Sequence, residues 1–233
     1  MKHSKMKKFG SIFLASTLLA GVLAGCGSDD DSSTDSGTSG SGGSSSAGET
    51  IKIGANLELS GGVASYGASI NEGAKLAIKE INEAGGINGK KIDYIVADNK
   101  SDNAEAVAAA TKLAVQDKVV AMIAPATSGN TIASVQIAND NKIPIVTPSG
   151  TSETITVNED GSVNDYAFRT CFIDPFQGVV AANFATEELS AKNVAIYVDS
   201  SNDYSKGLAA AFKAQIEANG GTVVAEESYV NQR

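Results

Sequence analysis

Val119-Val120-Ala121-Met122-Ile123-Ala124 is the stretch that decides the fold class of this chain. Six apolar residues in an unbroken run are the pattern of a strand buried on both faces of a parallel sheet. Upstream of it, Asn103 to Gln116 is rich in alanine and predicts a helix, and Lys91 to Asp98 (KIDYIVAD) predicts a second strand. Further upstream, Ile70, Ala74, Ala77, Ile78 and Ile81 fall on one helix face, Gly85-Gly86 stops that helix, and Ile51 to Ala55 alternates as a strand. Leu59 to Ser69 between them reads as a loop rich in Gly and Ser. Downstream, a helix is predicted from about Thr131 to Asn141 and a strand over Ile143 to Val146.

A second series begins near residue 174. Asp174 reads as an N-cap, with Pro175 at the first helical position and Gln177 three residues after the cap. That helix runs to about Leu189. Strand Asn193 to Val198, helix Tyr204 to Ala218, Gly220-Gly221 and strand Thr222 to Glu226 complete the series. Alternation of this kind implies an α/β fold of doubly wound parallel sheets joined by right-handed crossovers. Two lobes are expected, lobe one over residues 49–172 and lobe two over 173–233, with Thr151 to Phe172 joining them. Lobe one is expected to hold four strands and three helices. Lobe two, with two strands and two helices, leaves a sheet face and edge uncovered, so the sequence reads as the front part of a longer protein. Residues 49–233 alone are therefore expected to be marginally stable and to bind ligand poorly.

Composition narrows the function. Hydrophobic residues make up 42% and charged residues 19%, which suits a soluble globular chain and excludes a multi-span membrane protein. The formal net charge is −9 although Lys2, Lys5, Lys7 and Lys8 crowd the N-terminus, so the rest of the chain is more acidic still. Such a surface repels phosphate backbones, and no nucleic-acid partner is expected. The single histidine is His3. A chain that loses its N-terminus has no His-based nucleophile activation and no His-bearing zinc site.

Residues 1–25 have the basic, apolar and small-residue zones of a secretory signal, and the apolar run is too short to span a bilayer comfortably. Leu23-Ala24-Gly25-Cys26 resembles the bacterial lipobox, which implies lipidation of Cys26 (diacylglyceryl and palmitate chains) and cleavage before it. An incidental Cys26 at an ordinary cleavage site is the alternative. Between Gly27 and Gly48 lie nine Ser, six Gly, four Asp, two Thr and one Ala, a composition that builds no core. Residues 26–48 thus read as a disordered tether with a reach of ~25 Å. Asp29 to Asp31 within it read as solvated and not as a metal site. A tether of this kind resembles those of Gram-positive lipoproteins on the outer face of the cell membrane. Cys171 has no disulfide partner once Cys26 is acylated and reads as a small buried residue.

Three loops leave predicted strand ends, where ligands of open parallel sheets bind. They are Leu59–Ser69, Ala126-Thr127-Ser128-Gly129-Asn130 and Thr147-Pro148-Ser149-Gly150-Thr151. Free N–H groups at the start of the helix after Ala126 favour an anion, and Ser128 adds a hydroxyl. Spacing alone equally allows Ser128 as a cap and Thr151 as a turn residue. Both are expected in solvent-facing loops.

IKIGANLELSGGVASYG (Ile51–Gly67), GAKLAIKEINEAGGINGKKI (Gly73–Ile92), ATSGNT (Ala126–Thr131), IPIVTPSGTS (Ile143–Ser152) and FRTCFIDPFQG (Phe168–Gly178) together resemble the leucine/isoleucine/valine-binding branch of the periplasmic-binding-protein-like family, type I fold. The resemblance implies two α/β lobes with ligand in the cleft and no enzymatic activity. It implies an extracytoplasmic substrate-binding protein of an ABC transporter, which captures a branched-chain or other small amino acid, amide or carboxylate for the permease subunits. Ser128 would contact the ligand carboxylate. Ser149 would offer its carbonyl to the α-ammonium, and Thr151 its hydroxyl and N–H. Tyr66 would wall the cleft and Tyr204 would close over it. The acidic lobe-two partner of the ammonium is expected beyond Arg233. A ligand-sensing receptor module of the same fold is the alternative.

Enzyme motifs are missing. Gly85-Gly86-Ile87-Asn88-Gly89 follows a helix and is no dinucleotide fingerprint. No GxxxxGK[ST] loop occurs, and Gly150-Thr151-Ser152-Glu153-Thr154 departs from GxSxG. No cofactor and no metal is expected.

Overall fold

A computed structural model describes residues 49–231; the signal 1–25, Cys26 and the tether 26–48 lie outside the described residues. The first five strands form one parallel sheet. They are β1 (Ile51–Leu57), β2 (Ile92–Asp98), β3 (Ala121–Ile123), β4 (Ile145–Thr147) and β5 (Ala167–Arg169), in the order β2-β1-β3-β4-β5. Register runs Ile51 to Ile92 between β1 and β2, Ile53 to Ala121 between β1 and β3, and Ile145 to Ala167 between β4 and β5. Strand order reverses between β1 and β3. That is the topological switch point, where the crossovers on either side diverge and leave a crevice.

Helices α1 (Ala64–Glu83), α2 (Asn103–Thr111) and α3 (Ser128–Asn141) connect these strands, and α2 continues as a wider π turn over Lys112–Asp117. Asp102 caps α2, accepting from the N–H groups of Ala104 at 2.8 Å and Glu105 at 3.0 Å. The main core lies where α2 and α3 pack over the sheet, around Leu113, Met122, Val135, Ile145, Ile155 and Ala167.

Several sequence expectations need correction. Lobe one holds five strands, not four. β5 sits inside the expected joining segment and pairs with β4 without an intervening helix; a 3-10 turn at Glu153–Ile155 makes the return. The Val119–Ala124 run is closed on one face only. Met122 and Ala124 are buried, Ala121 and Ile123 are half-buried, and Val120 is 58% exposed. α1 begins at Ala64, so the expected loop to Ser69 is largely helix. Its start is fixed by Gly67, where a Cβ would stand 2.1 Å from the Glu58 carbonyl oxygen, an approach only glycine permits.

The second unit comprises α4 (Asp174–Asn183, with a π turn over Phe184–Glu188), β6 (Asn193–Asp199), α5 (Asp203–Ala218) and β7 (Thr222–Tyr229), with β6 and β7 paired in parallel. α4 and α5 approach closely because Gly178 faces Ala211, where an added Cβ would meet the Ala211 Cβ at 2.6 Å. Phe176, Val180 and Phe184 line an open apolar groove of about 410 Å³ on the far side of α4. Tyr197 and Tyr229 stack at 4.9 Å on the strands. No helix among the described residues is long and apolar enough to cross a membrane.

Candidate functional site

Glu58 follows the last residue of β1 and is fully buried. A buried carboxylate persists only when donors surround it. Its oxygens accept from the N–H groups of Ala126 at 2.9 Å and Thr127 at 3.1 Å, from the Thr127 hydroxyl at 2.8 Å and from the Asn130 amide at 2.9 Å. Glu58 therefore clasps the end of β1 to the loop after β3, directly over the switch point. Sequence reasoning missed it. The available signal was a single charge between Leu57 and Leu59 at the end of an apolar strand.

The clasp organises the start of α3 and the loop after β4. Thr127 is the N-cap of α3 and Ser128 its first residue. Thr131 N–H is the first to return into the helix, to the Thr127 carbonyl at 3.0 Å, so the N–H groups of Ser128, Gly129 and Asn130 have no partner one turn back. The Ser128 hydroxyl accepts from Ser152 N–H at 3.2 Å, which leaves its own proton to donate. The Ser149 hydroxyl is committed to the Ala126 carbonyl at 2.8 Å. The Thr147 hydroxyl donates to the Pro125 carbonyl at 2.9 Å and accepts from Gly150 N–H at 2.8 Å. Hydrogen bonds thus bring the loops of Ser128, Ser149 and Thr151 into one group. An anion meeting this group finds a helix N-terminus and a hydroxyl donor.

Ser128 and Thr151 are 3% and 6% exposed, contrary to the expectation of solvent-facing loops. The start of α5 lies over them. A Cβ on Gly129 would stand 3.9 Å from the Asp203 carboxylate, and one on Gly207 would stand 2.8 Å from the carboxylate of Asp174. Tyr204, in the first turn of α5, accepts from the Gln177 amide at 3.0 Å, tying α5 to α4 beside the group. Tyr66 stands 62% exposed in the first turn of α1, next to the Gly67 that touches Glu58.

Asp174 does not cap its helix. Ile173 takes the extended N-cap conformation, and Asp174 is the first helical residue, with its carboxylate turned inward. Burial pushes its pKa up, against the opposing influence of the Thr151 hydroxyl and the Arg169 guanidinium. Arg169 itself donates to the carbonyls of Gly150 at 3.0 Å and Ser152 at 2.8 Å and to the Thr156 hydroxyl at 2.9 Å. Cys171 is half-buried, its thiol directed at the Gly150 carbonyl at 3.4 Å and pushed up by burial. Asp98, at the end of β2, holds the loop after Glu58 through Ser60 and the N–H groups of Leu59 and Lys100. Burial works to raise its pKa, but these hydrogen bonds prevail and hold it below the usual carboxylate range.

Residues 50–232 match the periplasmic binding protein family. The chain is 38% identical over 178 residues to a Leu/Ile/Val-binding protein of Rhizobium johnstonii, covering 76% of this chain and 47% of that one. A branched-chain amino acid transporter substrate-binding protein from Streptococcus pneumoniae, solved in complex with isoleucine, superposes with a TM-score of 0.72 at 44% identity, covering 79% of this chain and 51% of that one. A solute-binding protein from Rhodopseudomonas palustris in complex with 3,4-dihydroxybenzoic acid superposes with a TM-score of 0.69 at 26% identity, covering 78% and 47%. The chain spans about half the length of the relatives it matches.

Proposed function

The chain belongs to the periplasmic binding protein family, and from that premise we propose that it captures a small amino acid outside the cytoplasm and hands it to the permease of an ABC transporter. The observation that carries this reading is the group at the switch point. The start of α3, with the Ser128 hydroxyl holding a free proton, forms a receptor for one carboxylate, and the Ser149 and Thr151 loop lies beside it. The relatives named for leucine, isoleucine and valine favour an amino acid with an aliphatic side chain. Ser149 and Thr151 meet the ammonium end, Tyr66 borders the entrance, and Tyr204 closes from α5. Cys26 carries the lipid that holds the protein to the outer face of a cell membrane, with residues 26–48 as tether.

Titration of the ¹⁵N-labelled chain with L-leucine at millimolar concentration tests the capture reading. Shifts in the amides of Ser128, Gly129 and Thr151 are expected; an unchanged spectrum contradicts it. For the anchor, Cys26→Ser is expected to abolish lipid labelling and membrane fractionation. Retention of both would contradict the role of Cys26.

A further inference from the structure

Glu58 is fully buried and meets no ligand directly, yet two walls of the proposed site rest on it. Its side chain holds the α3 wall. One carboxylate oxygen accepts from the Thr127 N–H, the Thr127 hydroxyl and the Asn130 amide, and the other accepts from the Ala126 N–H. Its backbone holds the α1 wall. A Cβ on Gly67 would stand 2.1 Å from the Glu58 carbonyl oxygen and 2.8 Å from its nitrogen. The first turn of α1, which carries Tyr66, therefore lies directly on this residue.

The α3 wall is held from a second side by a ring of buried side chains. The Asn130 amide also reaches the Asn99 side-chain oxygen at 3.5 Å. Asn99 donates to Asn56 at 3.1 Å, Asn56 to the Ser134 hydroxyl at 3.1 Å, and Ser134 back to the Asn130 carbonyl at 2.9 Å. None of the four is more than 3% exposed, and Asn56 further donates to the Ala106 carbonyl of α2 at 2.9 Å. Buried polar groups add little net stability over apolar packing, but their directional bonds fix orientation. Here they fix the first turn of α3, whose leading N–H groups have no partner one turn back. The charge of Glu58 works against an anion at that turn, so charge does not explain its presence there. The geometry it enforces does.

We propose that Glu58 is a positioning residue for capture: its carboxylate fixes the start of α3 and its backbone the start of α1, so one buried residue sets the spacing between Ser128 and Tyr66. The inference rests on the capture reading above. It adds a residue that acts through Ala126, Thr127 and Asn130 without touching the ligand.

The test is amide-shift titration of the chain with L-leucine, well below the melting midpoint of every variant, so that only folded protein is compared. Glu58→Gln keeps length and shape. Its oxygen still serves Thr127 and Asn130, but its amide nitrogen faces the Ala126 N–H, donor against donor. It is expected to bind leucine roughly tenfold more weakly and, without ligand, to displace the Ser128 and Gly129 amide signals. Leu113→Ala is the control for stability alone: it opens a cavity in the main core and removes none of the Glu58 hydrogen bonds. It is expected to melt lower, with wild-type affinity and unmoved Ser128 and Gly129 signals. Thr127→Val deletes one donor to Glu58 and is expected to lose roughly threefold in affinity; it carries the test if Glu58→Gln does not fold. Wild-type affinity in Glu58→Gln, or in Thr127→Val where that variant stands in, overturns the inference while leaving capture intact. Tighter leucine binding by Glu58→Gln overturns it too, because Glu58 would then act by charge. An equal affinity loss in Leu113→Ala would reduce the role of Glu58 to stability and also overturns it. A wild type that binds no leucine removes the capture reading and this inference together.

Discussion

Ser128 is proposed to carry two duties, and one substitution removes both. Its hydroxyl accepts from Ser152 N–H inside the protein and has a proton left for a ligand. Ser128→Ala is therefore expected to weaken leucine binding by roughly ten- to a hundredfold, and also to cost about 1–3 kcal/mol of stability because a buried N–H loses its acceptor. Titration and a denaturant melt check both, and wild-type values in both would make Ser128 an ordinary first-turn residue. Asp98 gives a pH signature. Hydrogen bonds lower its pKa in the folded state, so its stabilisation is present above the unfolded-state value of about 4 and is lost as pH falls through the lower folded value. Asp98→Asn should flatten the acid limb of the stability profile and lower stability at neutral pH; an unaltered acid limb would contradict this. The placing of the Ser128, Ser149 and Thr151 loops at strand ends was legible in the sequence, because hydroxyl and glycine clusters follow the apolar runs there. Glu58 and Asp174 were not. A carboxylate's partners, or its lack of them, depend on which distant segments fold against it, and local pattern does not record that.

At the scale of elements, periodicity and breakers located every helix and six of the seven strands. β5 escaped because three residues, Ala167 to Arg169, carry no usable period, and because a parallel return without a helix breaks the alternation that made the other strands visible. The starts of α1 and α3 were placed late for a related reason. Each begins with small residues whose helical state is set by packing on the Glu58 loop and not by propensity. The α4–α5 contact offers a clean test of element packing. Gly178 meets Ala211 and the backbone of Phe212, so Gly178→Ala should force the helices apart and cost about 1–3 kcal/mol, despite the better helix propensity of alanine. Because α5 covers Gly129 and Asp174, the same variant should loosen leucine binding. A more stable Gly178→Ala protein with unchanged binding would mean that the close approach is not maintained in solution.

For the whole molecule, the five-stranded sheet carries the proposed site and the start of α5 in the second unit lies over it. The cover has an apolar far side: Phe176, Phe184, Tyr197 and Val224 are each more than half exposed. Exposed large apolar side chains favour self-association, so the melting midpoint of the chain should depend on protein concentration, a dependence that a stable monomer would lack. Binding is expected to be weak, since a two-stranded unit encloses a ligand incompletely. The account's central claim is positional: one amino acid is proposed to lie at the β1–β3 switch point, its carboxylate on the start of α3 and its ammonium at the Ser149–Thr151 loop. A crystal structure of the chain grown with excess L-isoleucine tests it most directly. Density for the ligand is predicted within hydrogen-bond distance of the Ser128 hydroxyl at one end and of the Ser149–Thr151 loop at the other. Density in the Phe176–Phe184 groove instead, or at the switch point with the ends reversed, would contradict it.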